Sequence, residues 1–258
     1  MTDSISFDRA AEYYDQTRAA PDSVMAQLIP ALTKALPRGE ACLEIGVGTG
    51  RIALPLAEAG VRLIGIDISP EMLRKLTGKR RGAWPLLAIG DATRLPFATA
   101  TFGSAIASHV LHLIPEWRRA VAEMVRVVRP GGAVAASRGS RLKGGWRDQV
   151  SGRFFKEAGD PPWPPGMDGI DELDATMSAI GAEVVPFPDL TTQETSSIES
   201  LIAAMEEGIW AACWSLDQAT RRRAARVTRE WARRELGDLD VARTATAGSV
   251  WRVYRLPE

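Results

Sequence analysis

The chain has 258 residues, 45% hydrophobic and 25% charged, which suffices for one full core. Its formal net charge is +0, so no global field draws nucleic acid or an anionic membrane, and Cys42 and Cys213 form neither a disulfide framework nor a metal-ligand spacing. The opening residues lack a secretory apolar core, and no run reaches the roughly 18 apolar residues of a membrane span, so the expected setting is the cytoplasm, with no membrane partner.

Residues 4–36 read as a helical segment, with Phe7, Ala10, Ala11 and Tyr14 at helical spacing, a break at Pro21, and a second run through Met25, Leu28, Ile29, Leu32 and Leu36. A short apolar strand through Cys42, Leu43 and Ile45 then meets a turn carrying Gly46, Gly48 and Gly50. The following helix carries Ile52, Leu54, Leu56 and Ala57 and stops at Gly60, a C′ glycine. The turn is not the dinucleotide fingerprint, because Arg51 stands where a third glycine of G-x-G-x-x-G would be needed. Glu44 precedes the glycines instead. A carboxylate there repels a pyrophosphate and suits an ammonium or a hydroxyl-bearing ligand, which points to a nucleoside with a cationic tail.

Val61, Leu63, Ile64 and Ile66 make a buried parallel strand ended by Asp67. An acid at that distance beyond the glycines can accept from both ribose hydroxyls, or it can cap a helix. Ser69 before Pro70 can supply the cap and release Asp67 for a ligand. Ile68 and Met72 are apolar surface against a base, or plain core. Leu86, Leu87 and Ile89 form a third strand ending at Asp91 and Ala92, where the aspartate also fits ordinary turn chemistry. Acids ending three successive strands form a ligand edge at the carboxyl ends of a parallel sheet. Residues 105–108 are the fourth strand, a helix runs over 116–129, RPGG at 129–132 stops it, and 133–136 are the fifth strand.

In the second half, 139–168 reads as a long loop rich in Gly, Pro and Trp with a helix near 149–158. A helix over 170–180 and a strand over 184–187 follow. Ser196 with Glu199 and Ser215 with Gln218 have capping-box spacing and start helices at about 197–213 and 216–236. The last strand alternates over 250–256. Trp146, Trp163, Trp210 and Trp214 fall in the loop and insertion, lining a pocket or packing the cap. Arg221, Arg222, Arg223, Arg226, Arg229, Arg233 and Arg234 lie on one helix, read as a solvated face, with an RNA surface as the sharper alternative.

The string LEIGVGTG resembles motif I of the class I S-adenosylmethionine-dependent methyltransferases. GDA followed by LPF, the VLHL element and VRPGG extend the likeness at matching spacing over about a hundred residues. FDRAAEYYDQTR is similar to the N-terminal lid of ubiquinone/menaquinone-type small-molecule enzymes. The resemblance implies an α/β fold, Rossmann-like, with a seven-stranded mostly parallel sheet, helices on both faces, an antiparallel last strand and a helical cap insertion. It implies one methyltransferase domain over 1–258, with a lid at 1–36, a cofactor core at 37–138, caps at 139–168 and 197–240, and the last strand at 241–258. The implied cofactor is S-adenosyl-L-methionine, held by Tyr14, Arg18, Glu44, Gly46, Gly48, Gly50, Asp67, Ile68, Met72, Asp91, Ala92 and Ser108. His109, beyond the fourth strand, is the candidate for orienting or deprotonating a small-molecule acceptor, or else a structural histidine; His112 is read as structural. The acidic-or-Asn–Pro–Pro–aromatic element of adenine and glutamine N-methylating enzymes is missing at 107–110, which argues against those acceptors. RNA methylation and cofactor binding without transfer are the alternative functions, nucleic acid being the less expected partner.

Overall fold

The structure, a computed structural model, describes residues 4–18, 20–82, 84–140, 145–162 and 165–258. The chain falls into two compact units, the first from Met1–Gly139, Pro165–Leu190 and Ser249–Glu258, the second from Ser140–Pro164 and Thr191–Gly248.

The first unit begins with a 3-10 turn at Asp8–Ala10, a short helix α1 at Tyr14–Arg18 and helix α2 at Asp22–Ala35. Pro21 is the N-cap of α2, so the predicted break is where the second helix starts. The sheet follows: β1 Ala41–Ile45, α3 Ala53–Glu58, β2 Arg62–Asp67, α4 Pro70–Gly78, β3 Leu86–Ile89 and β4 Phe102–Ser108. Helix α5, Trp117–Val127, leads into β5, Val128–Ser140. Pairings β1–β2, β1–β4, β2–β3 and β4–β5 are all parallel. β4 is buried along its whole length, as expected of a central strand covered on both faces.

The RPGG segment does stop the helix, at Val127. It then lies within β5 as an irregularity, because the register jumps from Phe102↔Val128 to Ser104↔Ala133. Helix α7 of this unit spans Ile170–Ala179, and β6, Glu183–Val185, pairs antiparallel with β8, Arg243–Arg255. The sheet order is β3-β2-β1-β4-β5-β8-β6, a path of seven strands. An eighth strand unforeseen in the sequence, β7 at Leu190–Ser196, pairs with β8 off this path, so β8 is longer than the predicted 250–256.

The second unit holds helix α6 at Trp146–Glu157, α8 at Ile198–Glu206 and α9 at Gln218–Glu235. Val150, Phe154, Ile198, Leu201, Ile202, Met205, Cys213, Ala224 and Ala225 make an apolar cluster of its own. The sequence reads these residues as insertions in one domain; the structure gathers them around a separate core. Trp146 and Trp210 pack on that core and Trp214 donates from Nε1 to the Gly208 carbonyl at 2.9 Å, so the packing reading describes them; Trp163 lies outside the described residues.

Both predicted caps of this unit are displaced. Ser197, not Ser196, accepts from the N–H of Ser200, and Asp217, not Ser215, accepts from the N–H of Thr220. For α8 the reason is tertiary: Glu199 is taken by Arg229, at 2.7 Å, and the Ser196 hydroxyl by Arg147, at 3.2 Å.

Candidate functional site

The carboxyl ends of the parallel strands meet at one edge of the first unit. There β1 ends beside Glu44, β2 at Asp67, β3 just before Asp91 and β4 at Ser108, with Ala92 and His109 following β3 and β4. The fold therefore brings the three predicted acids, the glycine turn and the candidate histidine together.

The acids differ sharply in their partners. Asp67 accepts from the Gly48 N–H through Oδ2 at 2.8 Å and from the Ser69 N–H through Oδ1 at 2.9 Å. Ser69 caps α4 as expected, accepting from the Met72 N–H at 3.1 Å, yet Asp67 is not released by this: it clamps the glycine turn to its own strand end. A carboxylate offers about four acceptor positions, so hydroxyls can still be received beside these two. Burial raises the Asp67 pKa against the pull of those N–H donors. Asp91 Oδ1 accepts both the N–H and the hydroxyl of Thr93, at 2.9 and 2.8 Å, the turn chemistry foreseen as the plainer reading. Glu44 is the outlier. It is 1% exposed, its Oε2 has no hydrogen-bond partner, and burial pushes its pKa up to about 8 against the pull of Arg51. An unpartnered buried carboxyl is costly, and a cation or hydroxyl donor arriving there relieves that cost.

The glycines divide by role. A Cβ on Gly46 would lie 2.4 Å from the Val110 side chain and one on Gly50 2.4 Å from Leu76, so packing and their positive φ already require both. A Cβ on Gly48 would meet nothing nearer than the Met72 methyl at 3.6 Å. Gly48 thus marks open space over the turn, with buried Met72 and half-buried Ile68 beside it. This room, the orphaned Glu44 oxygen and the Asp67 clamp fit a nucleoside with a cationic tail.

His109 stands in the left-handed region, φ 52°, where histidine is among the tolerated non-glycine residues. Its N–H donates to the Ser137 carbonyl at 3.2 Å and to the Ser137 hydroxyl at 3.3 Å. Ser108, buried, has its hydroxyl 3.4 Å from that of Ser137. Burial above all, and then Arg51, His112, Arg18 and Arg138, lower the His109 pKa to about 3; burial, Arg138 and Arg18 lower that of His112 to about 4. A neutral imidazole so reluctant to take a proton suits orienting an acceptor and not deprotonating it.

The N-terminal segment is docked by contacts the sequence reading missed. Asp8 Oδ1 accepts the Ser69 hydroxyl at 2.5 Å and the Glu71 N–H at 3.2 Å, Glu12 pairs with Lys75 at 2.5 Å, and Asp15 pairs with Lys79 at 2.6 Å and accepts the Thr49 hydroxyl at 2.6 Å. The acids at 8, 12 and 15 and the lysines at 75 and 79 each have helical spacing, a signal open to a search for complementary faces. Tyr14 packs edge-on against Phe7, 5.8 Å between ring centres, and the Arg18 carbonyl accepts from Arg51 at 2.9 Å. Burial lowers the Arg18 pKa, with the two neighbouring tyrosines opposing.

A close backbone approach ties Gly166 and Met167 to the turn after β4. Gly166 donates to the His112 carbonyl at 3.1 Å and Met167 to the Leu111 carbonyl at 3.2 Å; a Cβ on Gly166 would lie 2.2 Å from the Leu111 oxygen, so no other residue fits. Among the described residues no group of three or more His, Cys, Asp and Glu could hold a metal ion, and no helix is long and apolar enough to cross a membrane.

Comparison with known proteins finds methyltransferases. Residues 43–136 match a family model described as "Methyltransferase domain". A demethylmenaquinone methyltransferase of Streptomyces avermitilis is 36% identical over 132 residues, covering 50% of this chain and 56% of that protein. A phosphatidylethanolamine N-methyltransferase of Cereibacter sphaeroides is 42% identical over 101 residues, covering 38% and 49%. The chain thus spans about half the length of these curated relatives. The solved structure of YcgJ from Bacillus subtilis superposes with a TM-score of 0.63 at 18% identity, over 92% of this chain and 100% of that one, a likeness of fold.

Proposed function

We propose that residues 43–136, which match a methyltransferase domain, use S-adenosyl-L-methionine and that the chain methylates a small organic acceptor. S-adenosyl-L-methionine, when bound, supplies a methyl group on a sulfonium sulfur, which is an excellent leaving group for in-line displacement. The chain's own task is then to grip, align and exclude water. Alignment alone can be worth roughly 7–11 kcal/mol of barrier.

The observation that carries this reading is the orphaned Oε2 of Glu44 in a row of strand-end acids. Glu44 would accept from the ammonium or a hydroxyl of the cofactor. Asp67 would accept from the ribose hydroxyls, while its clamp on Gly48 holds the turn in shape. Asp91 would accept from the adenine amino group and the Ala92 N–H would donate to a ring nitrogen, with Ile68 and Met72 against the base. Ser108 would contact the methionine part, and Tyr14 and Arg18 would close the lid, the arginine toward the carboxylate. His109, unprotonated at neutral pH, would accept a hydrogen bond from the acceptor and so orient it.

The RNA reading draws less support. Arg221 donates to the carbonyls of Glu206 and Leu216, Arg229 pairs with Glu199 and Glu206, and Arg226 and Arg234 pair with Glu230 and Glu235, so much of the basic helix is matched locally. The test is label transfer from methyl-labelled cofactor into an extract fractionated into small molecules, RNA and protein. Label in the small-molecule fraction is expected. Label entering RNA alone would overturn the acceptor class, and no transfer beside tight cofactor binding would favour a non-catalytic binding protein.

A further inference from the structure

At the amino ends of β1 and β2, the opposite end of these strands from Glu44 and Asp67, the first unit holds a cavity of about 350 Å³. Ligand pockets run from about 300 Å³ upward, so a small molecule fits. The loop between α2 and β1 forms one wall, and the turn between α3 and β2 the other. Leu36, Pro37, Ala59 and Val61 give it apolar surface. A Cβ on Gly39 or on Gly60 would meet nothing within 4 Å, so both turns border open space.

The charge on these walls is one-sided. Arg38 and Arg62 both line the cavity and are exposed, and neither has a hydrogen-bond, ion-pair or ring partner among the described residues. The register Ala41↔Arg62 sets Arg62 at the start of the β1–β2 pair, where the chain arrives from Arg38 through Gly39 and Glu40. Glu40 is the acid among the lining residues, but Arg129 already holds both its oxygens, through Nε and Nη2 at 2.6 Å each. The end of α2, where a cation is favourable, has one elsewhere: Arg255 donates to the Ala35 carbonyl at 3.4 Å. Two unengaged guanidiniums on one cavity suit a divalent oxyanion, since their forked donors match phosphate oxygens and no free acid on the wall opposes it.

We propose that this cavity is a second binding site, apart from the carboxyl edge, that receives a phosphate group at Arg38 and Arg62. The group comes as inorganic phosphate or on a small organic molecule whose stem rests against Leu36, Pro37 and Val61. The site is independent of what the strand-end acids hold.

The test is calorimetric titration of the full chain with inorganic phosphate, phenyl phosphate, benzoate and benzyl alcohol in turn, up to tens of millimolar, at about 0.15 M salt, where loose surface attraction is screened. At least one phosphate should bind about tenfold tighter than the alcohol, and benzoate more weakly than that phosphate. Whichever phosphate is the tighter tells the free ion from an organic one. Arg38→Gln and Arg62→Gln should each weaken phosphate binding about tenfold with thermal midpoints unmoved, since neither side chain holds a partner. Arg38→Lys and Arg62→Lys, which keep the charge, should retain part of the affinity. Arg222→Gln, an exposed arginine of α9, is the control and should change nothing. No binding of either phosphate, binding no tighter than that of the alcohol, or tighter binding of benzoate overturns the proposal. So does phosphate affinity that survives Arg38→Gln and Arg62→Gln, because the ion would then sit elsewhere. An equal loss in Arg222→Gln overturns it too, because the attraction would then be that of the surface as a whole.

Discussion

The strand-end edge of the first unit and the helical core of the second treat their charged groups in opposite ways. In the second, Arg229 is held at 2.7 Å by both Glu199 and Glu206, and Arg221 ties together the carbonyls between α8 and α9. Its orphaned buried atoms are neutral donors, Trp146 Nε1 and Thr228 Oγ1, or one N–H of a guanidinium otherwise engaged, as in Arg153 and Arg243. Among the described residues the orphan at the strand-end edge is a carboxyl oxygen, and after the neighbouring strand a histidine holds a left-handed backbone. Matched charges stabilise a fold; a buried carboxyl oxygen without a partner destabilises it, and a ligand can complete it. That contrast supports the first region as the place of the proposed function.

The contrast can be broken by mutation. The largest effect should come from Asp67→Ala, which removes the proposed ribose acceptor and both backbone clamps: S-adenosylhomocysteine affinity should fall about a hundredfold by calorimetry, and unchanged affinity would remove Asp67 from the site.

Glu44→Gln should weaken cofactor binding about tenfold, yet stabilise the unliganded chain at high pH. The Glu44 pKa, about 8, lies above its ordinary 4.5, so its contribution is whole below pH 4.5 and is lost as pH rises through 8, whereas glutamine does not titrate. Thermal midpoints of the two proteins should therefore draw apart between pH 4.5 and 8 and stay apart above it; coincident curves would mean that Glu44 is not buried as described.

Arg229→Ala, in the other region, should cost about 1–2 kcal/mol in urea unfolding, with cofactor affinity unmoved. A change in affinity would link the helical core to the site and erase the contrast.

His109 and His112 have pKa values of about 3 and about 4, below the ordinary 6.5, so the unfolded chain binds more protons between those values. Stability should fall as pH drops from 6.5 toward 4, and His109→Asn, which tolerates the same backbone, should flatten that slope with little change at neutral pH. The smallest effect is expected of Lys75→Ala: its exposed pair with Glu12 should contribute less than about 0.5 kcal/mol, measured by urea unfolding.

The first five strands, the glycine turn, the cap at Ser69 and the stop at Gly60 were all readable from the chain, because each follows from periodicity or backbone conformation within a few neighbours. The three acids could likewise be placed at strand ends. What could not be read was which of them would be engaged and which left over. Asp67 is claimed by Gly48, nineteen residues away, and Asp8 reaches Ser69 across sixty-one. The cap of α8 slipped by one residue because Arg147 and Arg229 draw on Ser196 and Glu199, the very side chains that a local reading assigned to capping. Local propensity decides where an element begins and ends to within a turn; competition among donors brought together from distant parts of the chain decides where each charge finds its partner, and so where a carboxyl is left waiting for a ligand.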